Sequence, residues 1–267
     1  MPGTNIKFEV VDGVGIITMD RPESRNSLTP EMVDEMGEAI QGCNRYDVRA
    51  VMLTGTGPAF CSGADVKAFV ETLDDDGPDA LHKYISSMAD ALHTKVVLGL
   101  RKLEKPVVGA INGVAAGAGF SLTLGCDIRF ASQSARFLMA YANIGATADG
   151  GSTYLLPRLV GSGRAMEIYL ASQPIGAEMA LEMGLVNQVV ADEQLHRHAM
   201  ETAVRLAQGP TLAYGKVKAL FDQSWDNNIA AQLDAETEAL ANSGLTSDFQ
   251  EGIKAFSERR QARFQGK

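Results

Sequence analysis

Residues 144–161 read IGATADGGSTYLLPRLVG and set one carboxylate, Asp149, among small residues just ahead of an apolar run. Two chemistries suit such a residue. A short acidic side chain before a helix can cap its free N–H groups, and an Asp–Gly pair turns the chain tightly. The same carboxylate, facing a cleft, can carry a proton as a general acid/base. Two other stretches share a second form: in AFCSGADVKAF (59–69) and INGVAAGAGFSLTLGCD (111–127) an apolar strand end runs through small residues into a helix start. Small residues let a ligand approach the backbone, and unbonded N–H groups of a first helical turn suit an anion or a developing oxyanion. Close packing alone accounts for one such loop. Two of them can supply two donors.

Other reactive residue types have plainer readings. His82 and His93 stand eleven residues apart and would share a helix face, where solvated or capping roles come before catalysis. His196 and His198 point to different faces and make a poor metal pair. Cys43, Cys61 and Cys126 are far apart and odd in number, so neither a disulfide framework nor a metal site is expected. Met32, Met36 and Met179 read as core.

Elements must hold these groups in place. IKFEVV, Asp12-Gly13 and VGIITM read as a hairpin. Thr29-Pro30 opens a helix whose apolar positions, Met32, Val33, Met36, Ala39 and Ile40, recur at helical spacing to about residue 44. RAVMLTG, PVVGAI and CDIRFAS are short apolar runs suited to buried strands, and a long helical stretch covers roughly Pro78 to Lys102. After Gly161 helical patterns dominate, interrupted by GLVNQVV as a strand. The expected class is α/β, with a core over residues 1–195 and a helical region over 196–267 that docks on the core or on another subunit.

Composition bounds the function. A chain of 267 residues with 45% hydrophobic content can bury a large core. A net charge of -9 argues against a nucleic-acid partner. The first twenty residues lack a basic segment followed by an apolar run, and no apolar stretch has membrane-spanning length, so a soluble cytoplasmic protein is expected.

RPESRNSLT, AFCSGADVKAF, KPVVGAINGVAAGAGFSLTLGCDIRFAS, STYLLPRLVG and GLVNQVV, in this order and spacing, resemble the crotonase family, the enoyl-CoA hydratases and isomerases. The likeness runs from the hairpin to AFSERRQARF near the end. It implies a spiral of strand–strand–helix repeats, a C-terminal helical trimerisation region, a homotrimer or hexamer, and an acyl-CoA thioester as substrate. No separate cofactor is implied, because coenzyme A is part of the substrate. By position, the backbone amides of Ala64 and Ala118 would hold the thioester oxygen, with Gly63, Asp65 and Gly117 beside them in the substrate site. Arg25, Lys254, Phe256 and Arg259 match regions that contact the nucleotide in relatives, and a surface salt-bridge role is equally open to these residues.

Hydratases of the family carry glutamates at two places that here hold Ser121 and Tyr141, neither of them a base at neutral pH. The resemblance therefore argues against hydration. Relatives that shift double bonds, and others that displace halide from an aromatic ring, carry an Asp where Asp149 stands. The expected activity is isomerisation of a 3-enoyl to a 2-enoyl thioester, a ring-derived thioester included, with Asp149 moving the proton. Phe120, Tyr141 and Ile144 are expected to desolvate Asp149 and raise its pKa. The alternatives are a dehalogenase-like or other hydrolase acting through Asp149, and a non-catalytic acyl-CoA-binding protein.

Overall fold

The computed structural model describes residues 5–267; residues 1–4, where the stretch read as lacking a leader begins, lie outside them. A hairpin opens the fold. β1 (Ile6–Val11) pairs antiparallel with β2 (Val14–Met19), and Asp12 and Gly13 between them both have positive φ, as a two-residue turn matched to strand twist requires. In α1 (Pro30–Gly42) the Thr29 hydroxyl accepts the Met32 N–H at 3.3 Å, and Met32, Val33, Met36, Ala39 and Ile40 are buried.

Strand–strand–helix turns follow. β3 (Ala50–Gly55) and β4 (Ala59–Cys61) lead into α2 (Val66–Asp76). A long helix comes next: α3 (Pro78–Ala91), a π-helical turn (Leu92–Val97) and α4 (Leu98–Lys102). The second turn is β5 (Val107–Ile111), β6 (Val114–Ala116) and α5 (Ala118–Leu124); the third is β7 (Ile128–Ser132) and β8 (Arg136–Leu138), then α6 (Ser152–Val160) and α7 (Ser162–Ala171). The chain continues through β9 (Ile175–Gly176), α8 (Ala177–Glu182) and β10 (Gln188–Val190). It closes with α9 (Leu195–Ala207), α10 (Thr211–Gln223), α11 (Ile229–Ser243) and α12 (Ser247–Ser257).

Each turn of the spiral sends its first strand to one sheet and its second to another. The larger sheet has the order β1-β2-β3-β5-β7-β10 and the smaller β4-β6-β8-β9. From β2 onward the larger sheet is parallel and covered on both faces. In β3, Val51 and Leu53 enter the main core with α1, while Ala50 and Met52 pack with Leu195, Ala199, Ala203 and Ala207 of α9. Two-sided burial explains why these strands read as unbroken apolar runs. The boundary drawn at residue 195 falls at the start of α9, whose buried face completes that second layer.

The C-terminal helices are tied back by polar contacts. The buried Lys218 ammonium of α10 bonds to Asp127 at 2.9 Å and to the Leu100 carbonyl at 2.8 Å. Asp248 accepts the N–H groups of Gln265 and Gly266, and Arg49 donates to Gly209 and Phe264 carbonyls. Yet Phe221, Leu240, Leu245, Ile253 and Phe256 all stay exposed in a single protomer.

Two expectations need correction. Met179 is exposed on the outer side of α8, whose buried residues are Ala177 and Ala180. GLVNQVV supplies a strand of only three residues, Gln188–Val190, because Leu185 and Val186 are spent in the core before the strand begins. The three cysteines are free and buried, and burial pushes each thiol up to about 12. Among the described residues no helix is long and apolar enough to cross a membrane.

Candidate active site

Two loops meet at the N-terminus of α5. Residues 62–65 are clamped along residues 25–28: Ser62 N–H donates to Arg25, Leu28 N–H to Gly63, and Asp65 N–H to Leu28, at 2.8–3.0 Å. The clamp uses the N–H groups of Ser62 and Asp65 and the Gly63 carbonyl, and leaves the Ala64 N–H out. Asn26 fastens the same segment to β4, its buried amide donating to the Ala59 carbonyl at 2.8 Å and its oxygen accepting the Arg21 N–H. Gly63 has φ +94°, and a Cβ there would sit 2.8 Å from the Ala116 carbonyl oxygen. Gly117 turns the second loop into α5 with φ 52° and ψ −124°, a conformation only glycine adopts readily. Ala118 is then the first helical residue, whose N–H has no partner within the helix. Among the described residues, neither the Ala64 nor the Ala118 N–H has an acceptor.

The Asp149 segment is held by Ser121, one helical turn along α5 from Ala118. Ser121, buried on α5, places its hydroxyl 2.9 Å from the Asp149 carbonyl, 3.0 Å from the Tyr141 hydroxyl and 3.3 Å from the Gly117 carbonyl. Gly150 packs directly on the Ser121 side chain. The Tyr141 hydroxyl donates to Asp149 Oδ1 at 2.5 Å. Burial, then the charge of Asp149, hold the Tyr141 phenol well above its ordinary range, so it stays a donor.

The helix-cap reading of Asp149 is corrected. Gly151 is the N-cap of α6, and it is the Asp149 carbonyl, not the carboxylate, that accepts from the Ser152 N–H and hydroxyl. The side chain is turned the other way, toward Tyr141 and His93.

His93, read from the sequence as solvated or capping, is partly exposed, accepts a backbone N–H and also faces Asp149. Its Nε2 accepts the Gly150 N–H at 3.1 Å and lies 3.6 Å from Asp149 Oδ2. An accepting Nε2 puts the ring proton on Nδ1. The π-helical turn Leu92–Val97 carries His93, while His82 on α3 is exposed. The expected desolvating wall is only partly present. Tyr141 bonds to the carboxylate, but Phe120 packs on Phe137 at 5.8 Å between ring centroids and Ile144 is exposed.

A cavity of about 440 Å³ opens beside the Asp149 turn, lined by Met139, Ala148, Leu156, Ala165, Met166 and Tyr169 among others. Larger hollows, about 920 and 680 Å³, open among the C-terminal helices and share no residue with the Asp149 cluster. Of the other candidates, Arg25 is exposed and sits on the 62–65 loop through its carbonyl. The Asp65 carboxylate accepts the Ser27 hydroxyl at 3.2 Å and lies 3.7 Å from Arg21. Phe256 on α12 and Arg259 just beyond it are exposed, and no hydrogen bond or ion pair joins them to the cluster among the described residues. His198 packs edge-on against Phe130 and bonds to Gln188, while His196 is exposed.

With this geometry in place, comparison with known proteins is decisive at the family level. The family model described as enoyl-CoA hydratase/isomerase matches residues 9–267. The chain belongs to that family, the crotonase family. A 1,2-epoxyphenylacetyl-CoA isomerase of Escherichia coli is 39% identical over 263 residues, covering 98% of both chains. A short-chain-enoyl-CoA hydratase of Clostridium acetobutylicum is 34% identical, covering 96% of this chain and 95% of that one. The crystal structure of an enoyl-CoA hydratase from Bacillus anthracis superposes with a TM-score of 0.91 at 30% identity, over 99% of this chain and all of the other. The crotonase fold, with its strand–strand–helix spiral, is thereby shared. Both isomerases and hydratases are among the relatives, so the reaction must be argued from the side chains.

Proposed function

We propose that this crotonase-family chain isomerises a 3-enoyl-CoA thioester, a ring-derived one included, to its 2-enoyl isomer. The observation that carries the reading is the Asp149 carboxylate, with Oδ1 held by Tyr141 and, among the described residues, no hydrogen bond to Oδ2, near two loops whose Ala64 and Ala118 N–H groups have no acceptor there. In the proposed reaction Oδ2 takes a proton from C2 and the charge moves to the thioester oxygen as a dienolate. The Ala64 and Ala118 N–H groups receive that oxygen, each contributing about 3 kcal/mol by the usual scale of oxyanion donors. Oδ2 then delivers a proton at C4. No cofactor is needed. The 440 Å³ cavity next to Ala148 is available to the acyl group. Hydration needs a base and an acid around a water, and the hydroxyls of Ser121 and Tyr141 are spent on each other and on Asp149.

One observation favours a second reading. A neutral His93 beside Asp149 could activate water after Asp149 has displaced halide from an aromatic ring, which is dehalogenase-like hydrolysis. Purified protein incubated with 2-enoyl, 3-enoyl and halobenzoyl thioesters, with products read by mass and NMR, separates the cases. The isomerase reading expects 2-enoyl product from the 3-enoyl thioester and no hydration. Halide release points to the second reading, and binding without turnover to a non-catalytic acyl-CoA-binding protein. We further propose that the enzyme works as a cytoplasmic homotrimer or hexamer, with Arg25, Phe256 and Arg259 as contacts to the nucleotide.

A further inference from the structure

The two oxygens of Asp149 have different neighbours. Oδ1 receives the Tyr141 hydroxyl, and Tyr141 holds its proton too tightly to pass it on. Among the described residues the other hydrogen-bond partner of the Tyr141 hydroxyl is the buried hydroxyl of Ser121. That side of the carboxylate is a closed end. Oδ2 faces the unprotonated His93 Nε2 at 3.6 Å. The His93 side chain is 41% exposed, so the ring meets the carboxylate with one edge and can meet solvent with the other. At rest Nε2 is occupied by the Gly150 N–H, which holds the ring in place and fixes its proton on Nδ1.

We infer that His93 is a proton relay between Asp149 and solvent, exchanging the proton on Oδ2 between the two halves of the isomerisation. The inference rests on the isomerase reading. A proton removed from C2 sits on Oδ2. If the gap closes to about 2.8 Å, an ordinary hydrogen-bond length, the ring can leave the Gly150 amide and Nε2 can accept the bond from Oδ2–H. The O–H bond breaks as an Nε2–H bond forms, giving an imidazolium. The partly exposed ring turns Nε2 to solvent, where the Nε2–H bond breaks to a water and a new one forms with a proton from water; turned back, Nε2–H returns that solvent proton to Oδ2, and Nδ1 keeps its own proton throughout. No electrons change hands. The hydrogen placed on C4 is then of solvent origin, although one carboxylate serves both carbons. His93 acts through Asp149 and touches neither carbon, so it is a positioning residue for the proton.

The origin of the C4 hydrogen tests this directly. A 3-hexenoyl-CoA carrying two deuterons at C2 is converted in ordinary water, stopped at low conversion, and the 2-enoyl product is read by NMR and mass for deuterium at C4. Because the readout is per product molecule, it does not depend on rate. Wild-type protein is expected to give mostly protium at C4. In His93→Gln the side-chain oxygen can still accept the Gly150 N–H but cannot carry a proton, so the share of product with transferred deuterium should rise several-fold. In His93→Ala the same rise is expected, reversed by added imidazole. A wild-type enzyme that already transfers deuterium internally, or variants with an unchanged share, would overturn the relay and leave the isomerase standing. Absence of 2-enoyl product from wild-type protein overturns both.

Discussion

Tyr141 and Ser121 each bond to the Asp149 segment, one to its carboxylate and the other to its carbonyl. A hydrogen bond to a charged acceptor is worth about 1.5–3 kcal/mol net, so Tyr141→Phe should lower unfolding stability by about that amount or less, Asp149 being partly solvated. It should retain more isomerase activity than loss of the carboxylate does. Denaturant titration together with turnover of a 3-enoyl thioester checks both parts; a Phe variant as inactive as an Asp149 variant would make Tyr141 part of the chemistry. Ser121, Tyr141, Asp149 and the two amides are legible in the sequence because each sits in a motif with fixed neighbours. The approach of His93 to Asp149 is not, because it is set by a contact across more than fifty residues and not by a local residue pattern. Asn26 was visible only as part of RPESRNSLT, and its work, tying Arg21 to β4, depends on a contact across more than thirty residues.

At the scale of elements, α1 and the buried strands follow from local signals: a Thr-Pro start, helical spacing of apolar residues, unbroken apolar runs. The strands of the smaller sheet are two or three residues long, too short for any alternation to register. The π-helical turn hides for a similar reason, since LHTKVV is composed of residues an ordinary helix accepts. The glycine before α5 gives this scale its prediction. Gly117→Ala places a Cβ on a backbone with φ 52° and ψ −124°, which costs about 1–3 kcal/mol if the conformation is kept and misaims the Ala118 N–H if it is not. Reduced stability, or normal stability with reduced turnover, is the expected outcome on thermal melting and steady-state assay. A variant equal to wild type in both would remove the second donor from the account.

For the whole molecule, the spiral explains why one chain can bring residues 64, 93, 118 and 149 together: successive turns stack their second strands in one sheet, and the loops leaving them converge. The C-terminal helices and the turn between them leave Phe221, Leu240, Leu245 and Phe256 uncovered, and an apolar patch on a surface marks an interaction site. Sedimentation at micromolar concentration should therefore give a trimer or hexamer, and Leu240→Glu should lower the mass. A wild-type monomer under these conditions would contradict the assembly. The helical character of this region is legible from its Ala, Leu, Glu and Gln content; the partner surface is not, because an apolar face reads the same whether it meets the core or another copy.

The central claim is that Asp149 moves the proton. Asp149→Asn keeps the size of the side chain and an oxygen for the Tyr141 hydroxyl, so the fold should hold, and α6 loses no cap because the carboxylate does not supply one. The decisive measurement is the rate at which this variant, verified folded by thermal melting, converts a 3-enoyl-CoA to its 2-enoyl isomer. The account predicts a fall of roughly 100-fold or more, the range of general acid/base groups. A folded Asn variant turning over at the wild-type rate would contradict it.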